Sequence, residues 1–363
     1  MGVWTVRGPA GLSLSCRRTR LLRLSACVAA VHVLLLGVTL LLLAEGEERE
    51  EAPTVTLLIW TRPFGEDQRL PDCWELLRVP GCALTYDAGA YPRADAVLVH
   101  HREVAIGAAD PPPEPRPAAQ KWIWMSYESP AHTPELWRLE GLFNLTMSYR
   151  ADSDIFLPYG YLVPRAGAGT DARALPLSSS SSSEPPRSLF VAWVVSNWSE
   201  EHARVSFYRQ LSRYIRVDVF GRAGRPLPGG GGHVVRLLRR YRFYLALENS
   251  QHTDYVTEKL WNAVAAGAVP VVLGPPRANY ERFLPRDAFI HVDDFPSARE
   301  LARYLLLLRA QPARMRRHLA WRRGCGLRQP DFWAEHYCVA CRAVRRTRGR
   351  TAEVRHLSRW FES

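Results

Sequence analysis

Four polar side chains that could bind a ligand stand close together in the otherwise apolar stretch 243–274. They are Glu248, Asn249, Glu258 and Lys259. Carboxylates accept hydrogen bonds from ligand hydroxyl groups, and a lysine in the first turn of a helix attracts an anion. A solvated loop would also be polar, but it would not need two carboxylates, an amide and a lysine at the start of one helix.

The elements around these residues predict a βαβ unit. An apolar strand over 243–247 is followed by a polar loop, a helix from about Thr257 to Gly267 and a second apolar strand over 268–273. This order is typical of a parallel sheet, whose ligands bind where strands end and helices begin. The polar set lies at that position.

A membrane anchor is predicted near the N-terminus. Residues 24–44 are almost all apolar, and about 20 such residues are enough to cross a bilayer as a helix. Arginines precede this stretch and glutamates follow it, so residues 1–23 are expected in the cytosol and the bulk of the chain in the lumen. A cleaved signal peptide is the alternative, but its apolar region would be shorter and would end in small residues. Asn144 and Asn197 begin glycosylation tripeptides that only a lumenal chain could use.

The cysteines favour disulfides over a metal site. Beyond the predicted anchor the chain carries Cys73, Cys82, Cys325, Cys338 and Cys341. The pair Cys338 and Cys341 has the spacing of half a zinc site, but no second pair of that spacing follows. In an oxidising lumen two disulfides are therefore expected. One thiol, assigned here to Cys325, is left over.

The net charge of +12 is compatible with nucleic-acid binding. The predicted lumenal location excludes that partner. Small anionic ligands such as nucleotide sugars fit the compartment better.

The part beyond the anchor is about 310 residues long, which is more than one core usually serves. Residues 165–187 have the composition of a linker, with a serine run and two adjacent prolines. Strand-like runs lie on both sides of it, at 55–60, 96–100, 122–125, 189–196, 217–221, 243–247, 269–273 and 289–292. Helices are predicted after Ser199, with Glu200 in the first turn, and after Ser297, which forms a capping box with Glu300. This pattern of strands and helices predicts two α/β domains with a cleft between them.

Several long motifs resemble the animal α1,3-fucosyltransferases, glycosyltransferase family 10. They are the block 243–274 with the segments that follow it, HHRE (100–103), KWIWMSYESPAHTP (121–134) and SYRADSDIFLPYGY (148–161). The resemblance covers nearly the whole chain from residue 54, in the right order and without gaps inside the motifs. It is strongest to the myeloid-type members that make Lewis x.

The resemblance implies a GT-B architecture of two Rossmann-like domains that face a cleft. Residues 54–164 would form the acceptor-binding domain and 188–346 the donor-binding domain. The predicted anchor, a short stem (45–53) and the linker 165–187 complete the chain, and residues 347–363 would return toward the acceptor domain. A Golgi membrane enzyme of type II topology is implied, with a homodimer as an open option.

The implied reaction transfers L-fucose from GDP-fucose, with inversion, to O3 of GlcNAc in Galβ1-4GlcNAc on glycoproteins and glycolipids. Such a transfer needs one base for the acceptor hydroxyl, and Glu128 matches the family's base. Arg204 and Lys259 match its diphosphate contacts, which neutralise the leaving GDP. Glu258 would accept hydrogen bonds from sugar hydroxyls, and Tyr244 and Asn249 match donor-contacting positions.

No metal cofactor is expected. Asp152 and Asp154 have the spacing of the DxD motif that holds manganese in other glycosyltransferases. They fall on the acceptor side, however, and Arg204 and Lys259 supply the positive charge that a metal would give.

The resemblance also concerns acceptor choice and disulfide pairing. His101 and Arg102 follow a strand and are expected to face the cleft, and an arginine at the position of Arg102 goes with Galβ1-4GlcNAc in the family. The family pattern implies the bridges Cys73–Cys338 and Cys82–Cys341, with local pairing of neighbours as the alternative.

Two other functions remain open at this point. The chain could transfer another GDP-sugar, or it could be a non-catalytic lumenal glycan-binding protein that keeps the fold. The complete set of Glu128, Arg204, Glu258 and Lys259 argues against a mere binder, since a binder needs no base.

Overall fold

A computed structural model describes residues 53–363, except 67, 165–172, 174, 178–186, 228–232 and 351–352. The chain divides into two compact units, Met1–Pro53 and Thr54–Ser363. The predicted tail 1–23, the anchor 24–44, nearly all of the stem 45–53 and most of the linker 165–187 lie outside the described residues. Within the described part of the chain, no helix combines the length and apolar composition that a membrane span requires.

The first sheet is parallel, with the spatial order β2-β1-β3-β4-β5-β6. Its strands are β1 (Val55–Ile59), β2 (Cys82–Thr85), β3 (Ala96–His100), β4 (Lys121–Ser126), β5 (Leu145–Ser148) and β6 (Ile155–Phe156). Every residue of β3 and β4 is buried, as expected for central parallel strands that are covered on both faces. The predicted strands 55–60, 96–100 and 122–125 correspond to β1, β3 and β4.

The second sheet is also parallel, with the order β10-β9-β11-β12-β13. Its strands are β9 (Leu189–Val194), β10 (Asp218–Phe220), β11 (Tyr241–Leu247), β12 (Val269–Leu273) and β13 (Ile290–His291). All five were predicted from their apolar runs, with ends that differ by a few residues. A smaller antiparallel sheet, ordered β7-β14-β8, joins β7 (Tyr161–Pro164) and β8 (Leu175–Pro176) to β14 (Cys325–Arg328).

The helices connect and cover these sheets. They are α1 (Cys73–Leu77), α2 (His101–Ala105), α3 (Ala203–Leu211), α4 (Val234–Leu238), α5 (Glu258–Ala266), α6 (Arg277–Glu281), α7 (Ala298–Ala310), α8 (Pro312–Ala320), α9 (Ala334–Arg346) and α10 (Leu357–Glu362). Helix α5 ends at Gly267, which has a φ of 74° and closes the helix in the left-handed conformation. The Ser297 side chain accepts a hydrogen bond from the Glu300 amide at the start of α7, which is one half of the predicted capping box. The Glu300 carboxylate accepts from Arg303 instead.

The helix predicted after Ser199 begins later, because α3 starts at Ala203 with His202 as its N-cap. Glu200, which was expected in the first turn of this helix, forms other contacts. Glu200 accepts hydrogen bonds from Trp198 and Arg209 instead of supporting a helix start.

The last part of the chain packs against the first sheet. Tyr337 and Val344 of α9, and Phe361 of α10, are buried in the same hydrophobic cluster as β1, β3 and β4. The predicted donor-binding domain of residues 188–346 therefore has to be shortened, because α9 buries its apolar face in the other half of the molecule. We assign α9 and α10 to the first half.

Two hydrogen-bonding residues fix α10 in place. The Glu140 carboxylate accepts from the backbone amides of Leu357 and Ser358 at 2.8 and 2.9 Å, which caps the helix start. The Arg150 guanidinium donates to the carbonyl oxygens of Phe361 and Ser363 at 3.2 and 2.9 Å. The chain end is thus bound to the loops of the first sheet.

Two disulfides join the same regions. Cys73 pairs with Cys338, and Cys82 pairs with Cys341, with Cα–Cα distances of 5.2 and 6.1 Å. This is the long-range pairing that the family resemblance implied, and it attaches α9 to α1 and β2. Among the described residues Cys325 forms no disulfide.

Candidate active site

A cavity of about 480 Å³ opens between the two halves of the unit Thr54–Ser363. The first half contributes Glu128 and Tyr159, and the second contributes residues from the ends of β9 and β11 and from α3 and α5. Parallel strands present their carboxyl ends at one edge, so loops from both sheets meet here. The lining residues are Glu128, Tyr159, Val194, Val195, Ser196, Asn197, Arg204, Leu227, Val234, Tyr244, Asn249, Tyr255, Glu258, Lys259 and Asn262.

The cavity brings together the predicted base and all five predicted donor-binding residues. These are Glu128, Arg204, Tyr244, Asn249, Glu258 and Lys259. They come from separate strands and helices that are as far apart in sequence as β4 and α5. Such convergence is hard to explain by chance surface polarity.

Lys259 lies in the first turn of α5 and is held by two carboxylates. Its Nζ atom lies 3.1 Å from Glu248 Oε2 and 3.2 Å from Glu258 Oε1, and it donates to Thr257 Oγ1 at 2.8 Å. Burial disfavours its charge, but Glu248 and Glu258 outweigh that effect and hold the pKa of Lys259 above its ordinary value. The ammonium is therefore a fixed positive charge at the cavity wall.

The Glu248 carboxylate fixes the positions of Lys259 and of the start of α5. It is 1% exposed, and its carboxylate accepts from the Thr257 amide and hydroxyl at 2.9 Å each. One buried carboxylate thus fixes both the start of α5 and the lysine, and Glu248 itself does not line the cavity.

Arg204 supplies a second positive charge. It lies in the first turn of α3 and is 4% exposed, and its Nη2 atom donates to the carbonyl oxygen of Asn197. Its Nε atom is buried and has no hydrogen-bond partner among the residues that the structure describes. Burial lowers the pKa of Arg204, but an arginine stays charged at any physiological pH.

Buried polar atoms without partners also mark the loop after β11. Asn249 Oδ1 and Ser250 Oγ are both buried, and neither has a partner within the described residues. Buried polar atoms are normally hydrogen-bonded, so such atoms beside a cavity point to a ligand that completes them.

Glu128 lies two residues after β4 and is half-buried at the cavity wall. Its carboxylate accepts no hydrogen bond from any residue within the described ranges. The other carboxylate at this edge, Glu103, is occupied: its oxygens bind His100 Nδ1 at 2.5 Å and the Phe64 amide at 2.8 Å. Burial would raise the pKa of Glu103, but its hydrogen bond with His100 helps to hold that pKa below the ordinary value. Of these two carboxylates, Glu128 is the one that lines the cavity and holds no hydrogen bond within the described residues.

The aspartates with DxD spacing have structural partners. Asp152 pairs with the Arg150 guanidinium at 2.9 Å, and Asp154 accepts from the Thr146 amide and hydroxyl at 2.8 Å each. Among the described residues, no group of three or more potential ligands is arranged to hold a metal ion.

The two predicted acceptor-binding residues have different surroundings. His101 is 2% exposed, and its ring lies between Trp124 Nε1, at 3.2 Å, and the Pro134 carbonyl oxygen, at 2.9 Å. Burial lowers the pKa of His101 to about 4. The structure therefore places His101 in the interior and not at the cleft surface. Arg102 keeps 40% of its side chain exposed at the same sheet edge.

The predicted glycosylation sites also differ. Asn197 is exposed on the rim of the cavity. Asn144 is half-buried, and its side-chain oxygen accepts from the Trp122 amide at 2.8 Å and from Arg116 at 2.9 Å. Asn197 is the more accessible of the two.

Sequence analysis did not identify four polar lining residues, Tyr159, Ser196, Tyr255 and Asn262. Asn262 lies four residues after Glu258, one helical turn along α5, and this spacing could have revealed it. Tyr255 is an aromatic residue just before the charged helix start. Tyr159, whose hydroxyl donates to the Tyr127 carbonyl, left no signal in the sequence.

The geometry fits one kind of chemistry. The first half contributes a carboxylate that has no hydrogen-bond partner in the described part of the chain, and the second contributes two fixed cations at helix starts. A base on one side and anion-binding groups on the other suit transfer of a group from an anionic leaving group to a hydroxyl.

Models of known protein families match both halves of the chain. A model of the fucosyltransferase N-terminal region matches residues 52–160. A model of the C-terminal region of glycosyltransferase family 10 (fucosyltransferase) matches residues 185–360.

Individual relatives are similar over most of the chain. Human alpha-(1,3)-fucosyltransferase 4 is 47% identical over 351 residues, covering 85% of this chain and 64% of that protein. Its bovine counterpart is 45% identical and is covered to 86%. Human 4-galactosyl-N-acetylglucosaminide 3-alpha-L-fucosyltransferase FUT5 is 50% identical over 315 residues and is covered to 80%. The chain thus spans about two thirds of the first of these proteins and most of the other two.

Solved structures share the fold. A crystal structure of an α1,3-fucosyltransferase aligns with a TM-score of 0.51 at 17% identity, over 75% of this chain and 82% of that one. The same enzyme type with GDP-fucose aligns with a TM-score of 0.50. At this identity the likeness concerns the architecture, which is a GT-B-like arrangement of two parallel sheets. With both halves matched by family models and relatives up to 50% identical, the chain belongs to glycosyltransferase family 10, the fucosyltransferases.

Proposed function

We propose that this chain is an α1,3-fucosyltransferase. It transfers L-fucose from GDP-fucose to O3 of GlcNAc in Galβ1-4GlcNAc and makes structures of the Lewis x type. The family membership and the names of its relatives support this reaction. The observation that carries it is the single cavity in which Glu128 of one half meets Arg204 and Lys259 of the other.

Glu128 acts as the base in this proposal. Inversion requires attack on the face of fucose opposite the leaving GDP, so base and leaving group must stand on opposite sides of the sugar. Glu128 and Lys259 belong to opposite halves of the cavity wall, as that geometry demands. Glu128 removes the proton of the acceptor hydroxyl as the new bond forms.

Lys259, Arg204 and the start of α5 bind the diphosphate. Charge builds on the bridging oxygen as the bond to fucose breaks, and cations that are already fixed in place stabilise it without reorganising. Asn249 and Ser250 would find partners in the bound donor, which accounts for their buried polar atoms. Glu258, whose side chain is 52% exposed, is available to accept hydrogen bonds from donor hydroxyls.

The reaction is proposed to need no metal ion, because these cations take that role. The setting is proposed to be the Golgi membrane, with the unit Thr54–Ser363 in the lumen and lactosamine-bearing glycoproteins and glycolipids as acceptors. The apolar stretch 24–44 and the glycosylation tripeptides at Asn144 and Asn197 support a membrane-anchored, lumenal setting.

The test is Glu128→Gln, which keeps the shape of the side chain but cannot take a proton. Turnover with GDP-fucose and Galβ1-4GlcNAc should fall at least roughly a hundredfold, the scale of general base catalysis. GDP binding, measured by calorimetry, should persist. Glu135→Gln is the matched control, since Glu135 is 43% exposed and pairs with Arg138 on the surface.

Near-normal turnover of Glu128→Gln would place the base elsewhere. A protein that binds GDP-fucose and lactosamine but transfers no fucose would instead be a glycan-binding protein.

A further inference from the structure

Asp254 is a buried carboxylate that the proposed mechanism does not use. It lies in the loop between β11 and α5, which also carries Asn249, Ser250 and Tyr255. It is 2% exposed and is not among the residues that line the cavity. Its backbone φ of 59° falls in the left-handed region, which Asp and Asn tolerate better than most residues with a side chain. A buried charge in this uncommon conformation needs specific partners to hold it.

The Asp254 carboxylate joins the two halves of the molecule. Its Oδ2 atom accepts from the backbone amide of Ala151 at 3.0 Å, and Ala151 follows β5 of the first sheet by three residues. Its Oδ1 atom accepts from Asn279 Nδ2 at 2.6 Å and from Arg282 Nη1 at 2.8 Å. Asn279 lies in α6 of the second half, and Arg282 is the residue that ends this helix. One side chain thus binds a backbone donor of the first half and two side-chain donors of its own half.

The next residue of the loop makes a second contact across the same boundary. The ring of Tyr255 lies 5.2 Å from the ring of Tyr149, which directly follows β5. Tyr255 also lines the cavity. Two successive residues, Asp254 and Tyr255, therefore contact the segment 149–151 of the first half.

These contacts bear on the reaction because of what the loop carries. Asn249 and Tyr255 line the cavity from the second half, whereas Glu128 lines it from the first. The bond between Asp254 and Ala151 therefore helps to set how far the loop stands from Glu128. A shift of about 1 Å between reacting groups can slow a reaction about a hundredfold.

We propose that Asp254 is a positioning residue for the transfer step. It holds the loop 249–257 against the first half, and so sets the distance between a fucose bound beside this loop and the Glu128 carboxylate. The diphosphate of the donor is bound by Lys259 and Arg204, which lie on helices and not in this loop. This inference rests on the proposed fucosyltransferase function and gives a role to a residue outside the cavity.

The experiment measures kcat for fucose transfer to Galβ1-4GlcNAc and, separately, the Kd for GDP by calorimetry. Asp254→Gly removes the carboxylate but tolerates the backbone conformation. It should lower kcat by at least about tenfold, because the reacting groups are no longer held at the right distance. The Kd for GDP should change by less than about threefold, since Lys259 and Arg204 are intact.

Two variants test the hydrogen bond to Ala151 itself. Asp254→Asn tolerates the same backbone conformation and keeps a side-chain oxygen that can accept from the Ala151 amide. Its kcat should exceed that of Asp254→Gly by at least about threefold. Ala151→Pro removes the donor of this bond from the other half. It should lower kcat and spare the affinity for GDP in the same way, and it keeps the proposal testable if Asp254→Gly does not fold.

Asp218→Gly is the matched control. Asp218 also belongs to the second half and has an arginine partner, since its carboxylate lies 2.8 Å from Arg225 Nη2 and accepts from the Tyr241 hydroxyl at 2.9 Å. Both partners lie in the second half. This variant should lower the melting temperature and leave kcat unchanged, which separates positioning from a general loss of stability.

Three results would overturn the proposal. Asp254→Gly could keep its kcat, Asp254→Asn could be as slow as Asp254→Gly, or kcat and the affinity for GDP could fall by the same factor. The last result would mean that the loop only binds the nucleotide. An unsubstituted protein that binds GDP but transfers no fucose to Galβ1-4GlcNAc would refute the proposed function itself, and this inference with it.

Discussion

Removing both disulfides should cost more stability than twice the loss from removing one. The bridges Cys73–Cys338 and Cys82–Cys341 span 265 and 259 residues. By chain entropy, a single cross-link over such a loop is worth about 5 to 6 kcal/mol. Once one bridge exists, the other closes only the short segments between neighbouring cysteines, about a dozen residues in total, and is worth about 3 kcal/mol.

The assay compares three variants in which cysteine pairs are replaced by alanine. Loss of either pair alone should lower the free energy of unfolding by about 3 kcal/mol, and loss of both by about 8 to 9 kcal/mol. Either bridge alone still attaches α9 to the first half, so single-pair variants should keep most of the activity. The variant without both should lose activity and stability together. Cys325→Ala, at the free thiol, is the control.

The reasoning would be refuted if the loss in the variant without both bridges equalled the sum of the two single losses. Such additivity would mean that each bridge closes a long loop of its own. Non-reducing peptide mapping gives an independent check. A Cys73–Cys82 peptide, or a Cys338–Cys341 peptide, would exclude the long-range pairing.

Three other outcomes are expected. Dialysis against EDTA should leave most of the transfer activity, and complete loss restored by manganese would require Asp152 and Asp154 to be reassigned as ligands. His336→Phe should make the protein less sensitive to acid, because burial lowers the pKa of His336 from 6.5 to about 3. The stability that depends on a neutral His336 is fully present above pH 6.5 and is lost as the pH falls toward 3. Melting curves should show the variant losing about 2 kcal/mol less between pH 8 and pH 5, whereas an identical pH dependence would contradict the shift. Gly160→Ala should lower both the melting temperature and the activity, since a Cβ there would come within 2.6 Å of the Trp261 ring on α5. An unchanged melting temperature would show that the structure can shift at this contact without losing stability.

The central strands β11 and β12 of the second sheet were predictable because most of their residues are apolar and buried on both faces. Residues 243–247 and 269–273 form uninterrupted apolar runs, which surface strands rarely do. The start of α5 was also predictable, since its charged residues lie at the strand-to-helix turn and Gly267 ends the helix. These features could be predicted because they depend on residues that are close together in sequence.

The missed elements depend on partners far away in sequence. Strand β2 carries four residues that are half-buried or exposed, and it exists because it pairs with β1. The burial of His101 under Trp124 could not be read from its position after a strand. The implied bridges already joined Cys338 and Cys341 to the first half. The burial of α9 in the core of the first sheet was not predicted, because its 13 residues follow the second sheet directly in sequence.

The packing of α9 and α10 against the first sheet has a consequence for biosynthesis. The second half, from β9 to β14, is nearly contiguous in sequence and can complete its core as soon as it has been synthesised. The first half is made earlier but must wait for Tyr337, Val344 and Phe361 to emerge before its own core can close. Domains usually fold in the order of their synthesis, and this packing predicts the reverse order here. A nascent chain that stops before Cys338 would expose the apolar sheet β1–β5 with Cys73 and Cys82 still unpaired, which makes it a substrate for chaperones and thiol isomerases until its last residues arrive.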